Sequence, residues 1–235
     1  MSTTQRVAII TGASQGIGAS LVTAYRKLGY AVVANSRTIG ESDDPMVVTV
    51  PGDIGRPGVG KQVVDAALER FGRVDTVINN AGIFIAKPFT EYTRDDYEAV
   101  TGVNLTGFFR ITQLAVEQML RQGSGHLVQI SSSLADHADA SVNSVLASLT
   151  KGGLQSATKA LAIEYAARGI RSNAVALGVI RTSDPAAYED SLARLHPLGR
   201  SGEVGDVVDA IVYLENAPFV TGEILHVDGG QSAGH

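Results

Sequence analysis

The sequence predicts a single α/β domain over residues 1–235, a doubly wound, parallel, seven-stranded sheet with helices on both faces. Short runs of branched apolar residues, typical of buried strands, alternate along the chain with longer segments of helical periodicity. This alternation is typical of βαβ units, whose crossover helices cover both faces of a parallel sheet. The predicted strands are residues 7–11, 31–35, 47–50, 75–79, 126–131, 172–177 and 224–227.

The predicted helices occupy the intervals between these strands. The interval 35–46 is too short for a full crossover helix and is predicted to be a loop. Residues 183–202 form a long interval, typical of a lid over a binding site, in which "AAYEDSLARL" predicts a short helix; a surface connection is the alternative. The helices are predicted over residues 18–28, 58–71, 94–123 with a break near Gly102, 144–168 and 203–214.

Composition excludes several classes of function. The net charge is −5 and no basic run occurs, so we expect neither a nucleic-acid partner nor an anionic membrane surface. The chain has no cysteine, which excludes disulfides and a cysteine nucleophile, and its five histidines lack metal-ligand spacing. No apolar run approaches the roughly 20 residues of a membrane helix. The N-terminus passes directly into a strand, so a cytoplasmic protein without a signal peptide is expected.

A glycine-rich turn joins the first strand to the first helix. In "ITGASQGIGASL" the glycines Gly12, Gly16 and Gly18 permit a tight turn in which backbone N–H groups approach a phosphate. The helix N-terminus adds its dipole to the attraction. This segment, which also contains Ser14, Gln15 and Ile17, is therefore predicted to bind the pyrophosphate of a dinucleotide.

The end of the second strand, "ANSRT", indicates which dinucleotide is bound. NAD-binding domains place an acid here for the adenosine ribose, but this chain has Ser36 followed by Arg37. A hydroxyl and a guanidinium can bind a 2′-phosphate, which a carboxylate would repel. Gln15 lies where NADP-preferring loops often carry a second basic residue. NADP is favoured, with NAD as the alternative.

Further motifs follow in a fixed order along the chain. They are the Gly12–Gly18 turn, Asp53 after the third strand, "NNAG" (79–82), Asn104, the serines 131–133, Lys151 and the terminal "VTGEILHVDGG". Over essentially the whole chain these motifs resemble the short-chain dehydrogenase/reductase family. The resemblance implies a Rossmann-type fold, hydride transfer between a nicotinamide cofactor and a carbonyl or alcohol, and a homo-oligomer, either tetramer or dimer.

The resemblance also implies roles for individual residues. Ser132 would hydrogen-bond the substrate oxygen, with Ser131 or Ser133 as alternatives, and Asn104 would hold a water between Lys151 and solvent. Lys151 would bind the nicotinamide ribose. The complete predicted set is Ser132, Lys151 and Asn104 for catalysis, and Gly12, Ser14, Gln15, Gly16, Ile17, Gly18, Ser36, Arg37, Asp53, Ile54, Asn80, Ala81, Gly82, Lys151, Ile180 and Thr182 for the cofactor.

One position departs from the family pattern in its chemistry. Four residues before Lys151, where the family has its proton-donating tyrosine, the chain has Ala147. No tyrosine occurs between residues 141 and 164, so a shifted helix register does not supply one. Loss of a general acid typically costs about 10² to 10⁴ in rate. Ser144, His137, Tyr188 and a water held by Asn104 and Lys151 are the candidate replacements.

These observations predict an NADP-dependent oxidoreductase acting on a small carbonyl or alcohol substrate through a non-standard proton donor. The alternative is a protein that binds NADP(H) without turnover and serves as a sensor or structural subunit. A plain interaction module would leave the phosphate loop unexplained. The segments 82–89 and 183–202 are expected to line a partly apolar substrate pocket, but the sequence does not identify the substrate.

Overall fold

The computed structural model describes residues 5–182 and 190–234, and its core is one parallel sheet of seven strands. The strands lie in the order β3-β2-β1-β4-β5-β6-β9, and every neighbouring pair is parallel. Their bounds are β1 Val7–Thr11, β2 Ala31–Ser36, β3 Val47–Pro51, β4 Thr76–Asn79, β5 Gly125–Ser132, β6 Ile170–Leu177 and β9 Ile224–Val227. All seven predicted strands are confirmed.

In the described residues, six α-helices cover the sheet: α1 Gly16–Lys27, α2 Val59–Phe71, α3 Arg94–Thr101, α4 Phe108–Gln122, α5 Val145–Tyr165 and α6 Val204–Asn216. The break predicted near Gly102 is a π-helical segment, Gly102–Gly107, that connects α3 to α4. Residues 37–46 contain no helix, as predicted. The short strands β7 Ile180–Arg181 and β8 Gly202–Glu203 form a separate pair.

Alternate residues of the strands fill two apolar cores. In β1, Ala8 and Ile10 face the core under α1 and α6, whereas Val7 and Ile9 face the core under α2 and α4. This alternation is the period of two that a pleated strand imposes on its side chains. Because both faces bury apolar residues, the strands read as continuous apolar runs, which is why the sequence predicted them well.

The topology places a crevice at the carboxyl end of the sheet. From β1 the chain moves outward through β2 to β3, and it returns with β4 on the other side of β1. At such a reversal the connections diverge and leave room for a ligand above the strand ends. In the described part of the chain, no helix is long and apolar enough to cross a membrane.

Candidate active site

The glycine-rich turn lies at this crevice, between β1 and α1. Gly12 has a φ of +67°, and a Cβ on Gly18 would lie 2.1 Å from the Gly12 carbonyl oxygen. Neither position accepts a larger residue without movement of the backbone. The N-cap of α1, Gln15, makes no side-chain capping hydrogen bond, and the first turn of α1 has no acidic residue. The helix N-terminus is therefore suited to an anion.

Asn80 fixes the turn against the end of β4. Its Nδ2 donates to the carbonyl oxygens of Thr11 (2.9 Å) and Gly12 (3.2 Å). The Thr11 hydroxyl oxygen in turn accepts hydrogen bonds from the backbone N–H groups of Asn80 and Ala81. Thr11 therefore positions two strand ends at once, a role that sequence reasoning did not assign to its hydroxyl.

A cavity of about 700 Å³ opens over this turn and is called the cofactor cavity below. Every predicted cofactor residue lines it except Lys151 and Ile180. The predicted members are Gly12, Ser14, Gln15, Gly16, Ile17, Gly18, Ser36, Arg37, Asp53, Ile54, Asn80, Ala81, Gly82 and Thr182, and Asn35, Thr38, Gly52, Ile83 and Val103 join them. The structure thus brings together residues that are up to 170 positions apart in the chain.

At the end of β2 the cofactor cavity has a hydroxyl pair and a cation. The Ser14 and Ser36 Oγ atoms are 2.8 Å apart. The neighbouring Arg37 is exposed and forms no ion pair with any residue that the structure describes. Asp53, the cavity's carboxylate, accepts a hydrogen bond from the Gly55 N–H at 3.0 Å. The wall at the end of β2 therefore presents two hydroxyl groups and a guanidinium, and the Asp53 carboxylate lies beyond the end of β3.

Lys151 extends from α5 to the floor of the crevice. Its Nζ donates to the Ile130 carbonyl oxygen at 2.6 Å, and a Cβ on Gly82 would lie 3.1 Å from the same Nζ. Burial lowers the pKa of Lys151 to about 8. The ammonium thus lies where the cofactor cavity meets the end of β5, although Lys151 is not on that cavity's wall.

Asn104 lies in the π-helical segment and is buried. Its Oδ1 accepts from the Ile83 N–H at 2.8 Å, and its Nδ2 donates to Ile83 O and to the Thr150 hydroxyl. These contacts hold the chain after β4 against α5, next to Gly82. The sequence analysis did not select Thr150, and the only signal in the sequence that points to it is its position next to Lys151.

The three serines at the end of β5 differ in their surroundings. Ser131 is buried and donates to Lys151 O at 3.1 Å, and Ser133 is buried against Leu177 O and Gln231. Ser132 is half-buried, and its Oγ accepts from the Leu134 N–H at 3.3 Å. An accepting contact leaves the Ser132 hydroxyl proton free to donate.

Ser132 lines a second, separate cavity of about 360 Å³, called the second cavity below. Ile180 lies here rather than on the cofactor cavity, and Phe84 comes from the predicted pocket segment 82–89. Of the predicted lid, residues 183–189 lie outside the described residues, whereas Asp190–Leu195 form a 3₁₀ helix whose Leu195 reaches this cavity. The lining is Phe84, Ser132, Ser133, Leu134, Val142, Leu177, Gly178, Val179, Ile180, Leu195 and Gln231.

Ala147 is buried on α5, one turn before Lys151, with 4% of its surface exposed. Ser144, one candidate replacement donor, is buried with its hydroxyl 3.2 Å from the Ser148 hydroxyl. His137 is half-buried, and its backbone N–H donates to Ser133 O. Tyr188 lies outside the described residues. The position of Ala147 therefore carries no acid of its own.

Comparison with known proteins identifies the group to which this fold and site belong. A family model described as "Enoyl-(Acyl carrier protein) reductase" matches residues 12–232, nearly the whole chain. The chain belongs to the short-chain dehydrogenase/reductase family. The 3-oxoacyl-[acyl-carrier-protein] reductase of Thermotoga maritima is 34% identical over 96% of this chain and 97% of its own length.

Solved members of the short-chain dehydrogenase/reductase family superpose closely on this chain. ElxO, solved with NADP bound and, as a tyrosine-to-phenylalanine variant, with NADPH bound, has a TM-score of 0.90 at 28% identity, over 98% of this chain and 100% of its own. The 3-ketoacyl-(acyl-carrier-protein) reductase of Brucella melitensis, complexed with NADH, has a TM-score of 0.90 at 29% identity, with the same coverage. These relatives are NAD(P)-dependent oxidoreductases.

Proposed function

We propose that this protein is an NADP(H)-dependent oxidoreductase that reduces a small carbonyl compound or oxidises the corresponding alcohol. The observation that carries this proposal is that two separate cavities both lie close to Lys151: the cofactor cavity reaches Gly82 beside its ammonium, and Ser132, two residues beyond Ile130, lines the second cavity. A dinucleotide and a small molecule can thus lie on either side of one cation.

The residues of the cofactor cavity fit NADP. Its phosphate turn closes only with glycines at positions 12 and 18. Arg37, which forms an ion pair with no described residue, and the Ser14–Ser36 pair are suited to a 2′-phosphate. Charge-assisted hydrogen bonds contribute about 1.5 to 3 kcal/mol each. Arg37→Ala is therefore expected to weaken NADPH binding by about 10- to 100-fold and to leave NADH binding nearly unchanged, as measured by calorimetry, with Arg70→Ala on α2 as the control.

The chain's own residues would share the work around the substrate carbonyl. When bound, NADPH supplies the hydride. Ser132 would donate its free hydroxyl proton to the substrate oxygen, and the Lys151 ammonium would stabilise the negative charge that develops there. Asn104 would act by holding Ile83 and Thr150, and so the wall between the two cavities, in place.

The proton that the oxygen finally takes up needs a source other than residue 147. We propose a water held near Asn104 and Lys151, because the Ser144 hydroxyl already faces Ser148 and aliphatic hydroxyls are weak acids. Without a phenol the rate would be lower than in tyrosine-containing relatives by about 10² to 10⁴. The remaining catalysis would come from positioning and from stabilisation of the oxyanion.

Binding without turnover is the alternative function, and Ala147 is the observation that favours it. The ElxO variant that binds NADPH with a phenylalanine in place of one tyrosine supports nucleotide binding without every tyrosine hydroxyl. The deciding experiment measures NADPH binding by calorimetry and then NADPH consumption with a panel of aldehydes, ketones and imines. Consumption above the enzyme-free rate supports the oxidoreductase, whereas saturable binding with no consumption across the panel supports the sensor.

We further propose that the protein is a homo-oligomer built through α4 and α5. Phe109 on α4 and Leu149 and Ile163 on α5 are 61%, 59% and 85% exposed. Residues of α4 and α5 together line a surface groove, and exposed large apolar side chains on two such helices are typical of a subunit interface. Light scattering on the purified protein tests this, and a monomer at micromolar concentration would contradict it.

A further inference from the structure

The second cavity has no charged side chain among the residues of its wall that the structure describes. None of the described residues that line it is acidic or basic, and most of its wall consists of apolar side chains such as Phe84, Leu134 and Leu195. The cofactor cavity, by contrast, includes both Arg37 and Asp53. An ionised group placed in the second cavity would lose its hydration without gaining a partner of opposite charge.

Polar side chains enter the second cavity at a few places only, and one of them is the amide of Gln231. Gln231 belongs to the C-terminal segment, in a 3₁₀ turn at residues 231–233, and is 2% exposed. Its backbone N–H donates to Asp228 O at 3.1 Å, which anchors the residue from below. The backbone of Gln231 is thus held at the wall of the second cavity.

One end of the Gln231 amide is held by the protein and the other is not. The Ser133 hydroxyl lies 2.9 Å from Gln231 Oε1 and 3.1 Å from Leu177 O, so its single proton is shared between two acceptors. Within the described residues, Gln231 Nε2 has no hydrogen-bond partner. Because the residue is almost wholly buried and lines the second cavity, these two N–H donors are available to a molecule bound there.

We propose that the second cavity takes an uncharged, largely apolar ketone or aldehyde that carries a second, neutral hydrogen-bond acceptor. The Gln231 amide donates to this second acceptor while the Ser132 hydroxyl donates to the reacting carbonyl oxygen. This assignment rests on the proposed function, since it takes the carbonyl to be reduced at Ser132. Gln231 is then a specificity-determining residue: it selects the substrate and leaves the chemistry to others.

The cavity's chemistry also excludes substrates. A keto acid would place an unpaired carboxylate among apolar side chains, and the Gln231 amide alone does not offset the lost hydration. A polyhydroxylated sugar would bury several hydroxyl groups where few partners exist, and each unpaired group is costly. A neutral keto ester satisfies both donors.

The experiment compares three ligands of matched shape in the protein saturated with NADP⁺, in which a ketone binds but cannot be reduced. Methyl 4-oxopentanoate has a second neutral acceptor, heptan-2-one replaces that ester by methylene groups, and 4-oxopentanoate is the charged acid. Calorimetry gives a Kd for each. We expect the keto ester to bind about tenfold more tightly than heptan-2-one, and the acid to bind most weakly.

The variant Gln231→Met, close in length and volume, tests the residue itself. The ratio of the two neutral ligands' Kd values is expected to fall about tenfold, towards one, whereas a purely structural effect would weaken both ligands equally. Gln62→Met on the exposed face of α2 is the matched control and should keep the wild-type ratio. If Gln231→Met does not fold, the order of the three ligands on the wild-type protein decides.

The outcomes separate this inference from the proposed function. Three results would each overturn the inference. The first is equal Kd values for keto ester and ketone, both in this pair and in the shorter pair methyl 3-oxobutanoate and hexan-2-one. The others are tightest binding of the acid and a Kd ratio that is unchanged in Gln231→Met. Failure of NADP⁺ to bind contradicts the proposed function instead. The ligands are then titrated into the free protein, and the same order decides on Gln231.

Discussion

Two groups of polar side chains lie at opposite ends of the strands: the amino edge, where the strands begin, and the carboxyl edge, where they end. The groups differ in how many of their hydrogen-bonding atoms have a partner in the protein. At the amino edge, Glu215 of α6 accepts hydrogen bonds from the Tyr25 hydroxyl (3.0 Å), the Tyr30 hydroxyl (2.5 Å), the Thr76 hydroxyl (3.1 Å) and His126 Nδ1 (2.9 Å). At the carboxyl edge, Lys151, Ser132 and Gln231 each keep donors that no described residue accepts.

The pKa values follow this difference. Burial alone would raise the pKa of Glu215, but hydrogen bonds from His126, Tyr30 and Tyr25 outweigh it and lower the pKa to about 2. Burial lowers the pKa of Lys151 to about 8, and no acidic residue that the structure describes opposes this shift. The amino edge therefore stabilises its charge, and the carboxyl edge holds a charge at a cost in stability. A network whose hydrogen-bonding groups are all paired stabilises the fold, whereas one with unpaired donors can bind a ligand.

The first prediction removes the charge at the carboxyl edge. Lys151→Met is expected to lower NADPH-dependent turnover to the background, a loss of about 10² to 10⁴ or more, because in the proposed mechanism it removes the cation that stabilises the reacting oxygen. Steady-state kinetics on the best substrate of the panel measures this. Lys159→Met, exposed on the same helix, is the control and should keep full activity. Unchanged turnover in Lys151→Met would contradict the role given to the carboxyl edge.

The second prediction adds the missing acid to that edge. Ala147→Tyr is expected to raise turnover by about 10² to 10⁴, because a phenol one helical turn from Lys151 can protonate the substrate oxygen. Ala147 is buried, so the larger ring should cost about 1 to 3 kcal/mol of unfolding free energy.

Ala147→Phe is the matched control for this gain. It has the same bulk without the hydroxyl, so it should show the loss in stability and no gain in rate. Equal rates for the two variants would show that residue 147 does not have the place of the family's proton donor.

The third prediction concerns the amino edge. Glu215→Gln is expected to lower the free energy of unfolding by about 2 to 3 kcal/mol, and the Tm by about 5 to 10 °C, because it removes the charge that four donors stabilise. Thermal unfolding followed by circular dichroism measures the change, with exposed Glu69→Gln as control. NADPH affinity should stay the same. If the free energy of NADPH binding fell by as much as the free energy of unfolding, the two edges would not be independent.

This third effect has a defined pH window. The folded pKa of Glu215 lies below its unfolded value, so the stabilisation is complete above about pH 4.5 and is lost as the pH falls towards 2. Wild type and Glu215→Gln should therefore differ in stability at pH 7 and converge in acid. Denaturant titrations at a series of pH values measure this, and a constant difference down to pH 3 would contradict it.

The contrast between the edges also explains what the sequence could predict. The strands and the phosphate turn depend on local patterns, namely runs of branched apolar residues and the spacing of Gly12, Gly16 and Gly18. Residue-by-residue resemblance selected Ser132, which lines the second cavity, and the cofactor residues, of which all but Lys151 and Ile180 line the cofactor cavity. The position of Ala147 on α5 follows from its helical spacing to Lys151 alone.

The amino-edge network could not be predicted, because its members come from separate elements up to 190 residues apart. Nothing in the local sequence around Glu215 or Tyr25 indicates that they meet. The same holds for Ser133 and Gln231, which are 98 residues apart. The π-helical form of Gly102–Gly107 was missed because glycine in a helical pattern indicates a break without indicating its geometry.

The smallest predicted effect tests the cost of the charge at the carboxyl edge. Burial lowers the pKa of Lys151 in the folded protein to about 8, below its value in the unfolded chain. The unfolded chain therefore binds this proton more tightly, so the free energy of unfolding rises as the pH rises from 8 to about 10.5. At pH 7, Lys151→Met should therefore be more stable than wild type by roughly 1 to 2 kcal/mol, less than the full pKa shift because the side chain still contacts solvent. Wild type should approach the variant as the pH rises to 10, in denaturant titrations without cofactor. A variant less stable than wild type at pH 7 would mean that the contact of Lys151 with Ile130 O stabilises the fold, and the two edges would then differ less than their hydrogen bonds indicate.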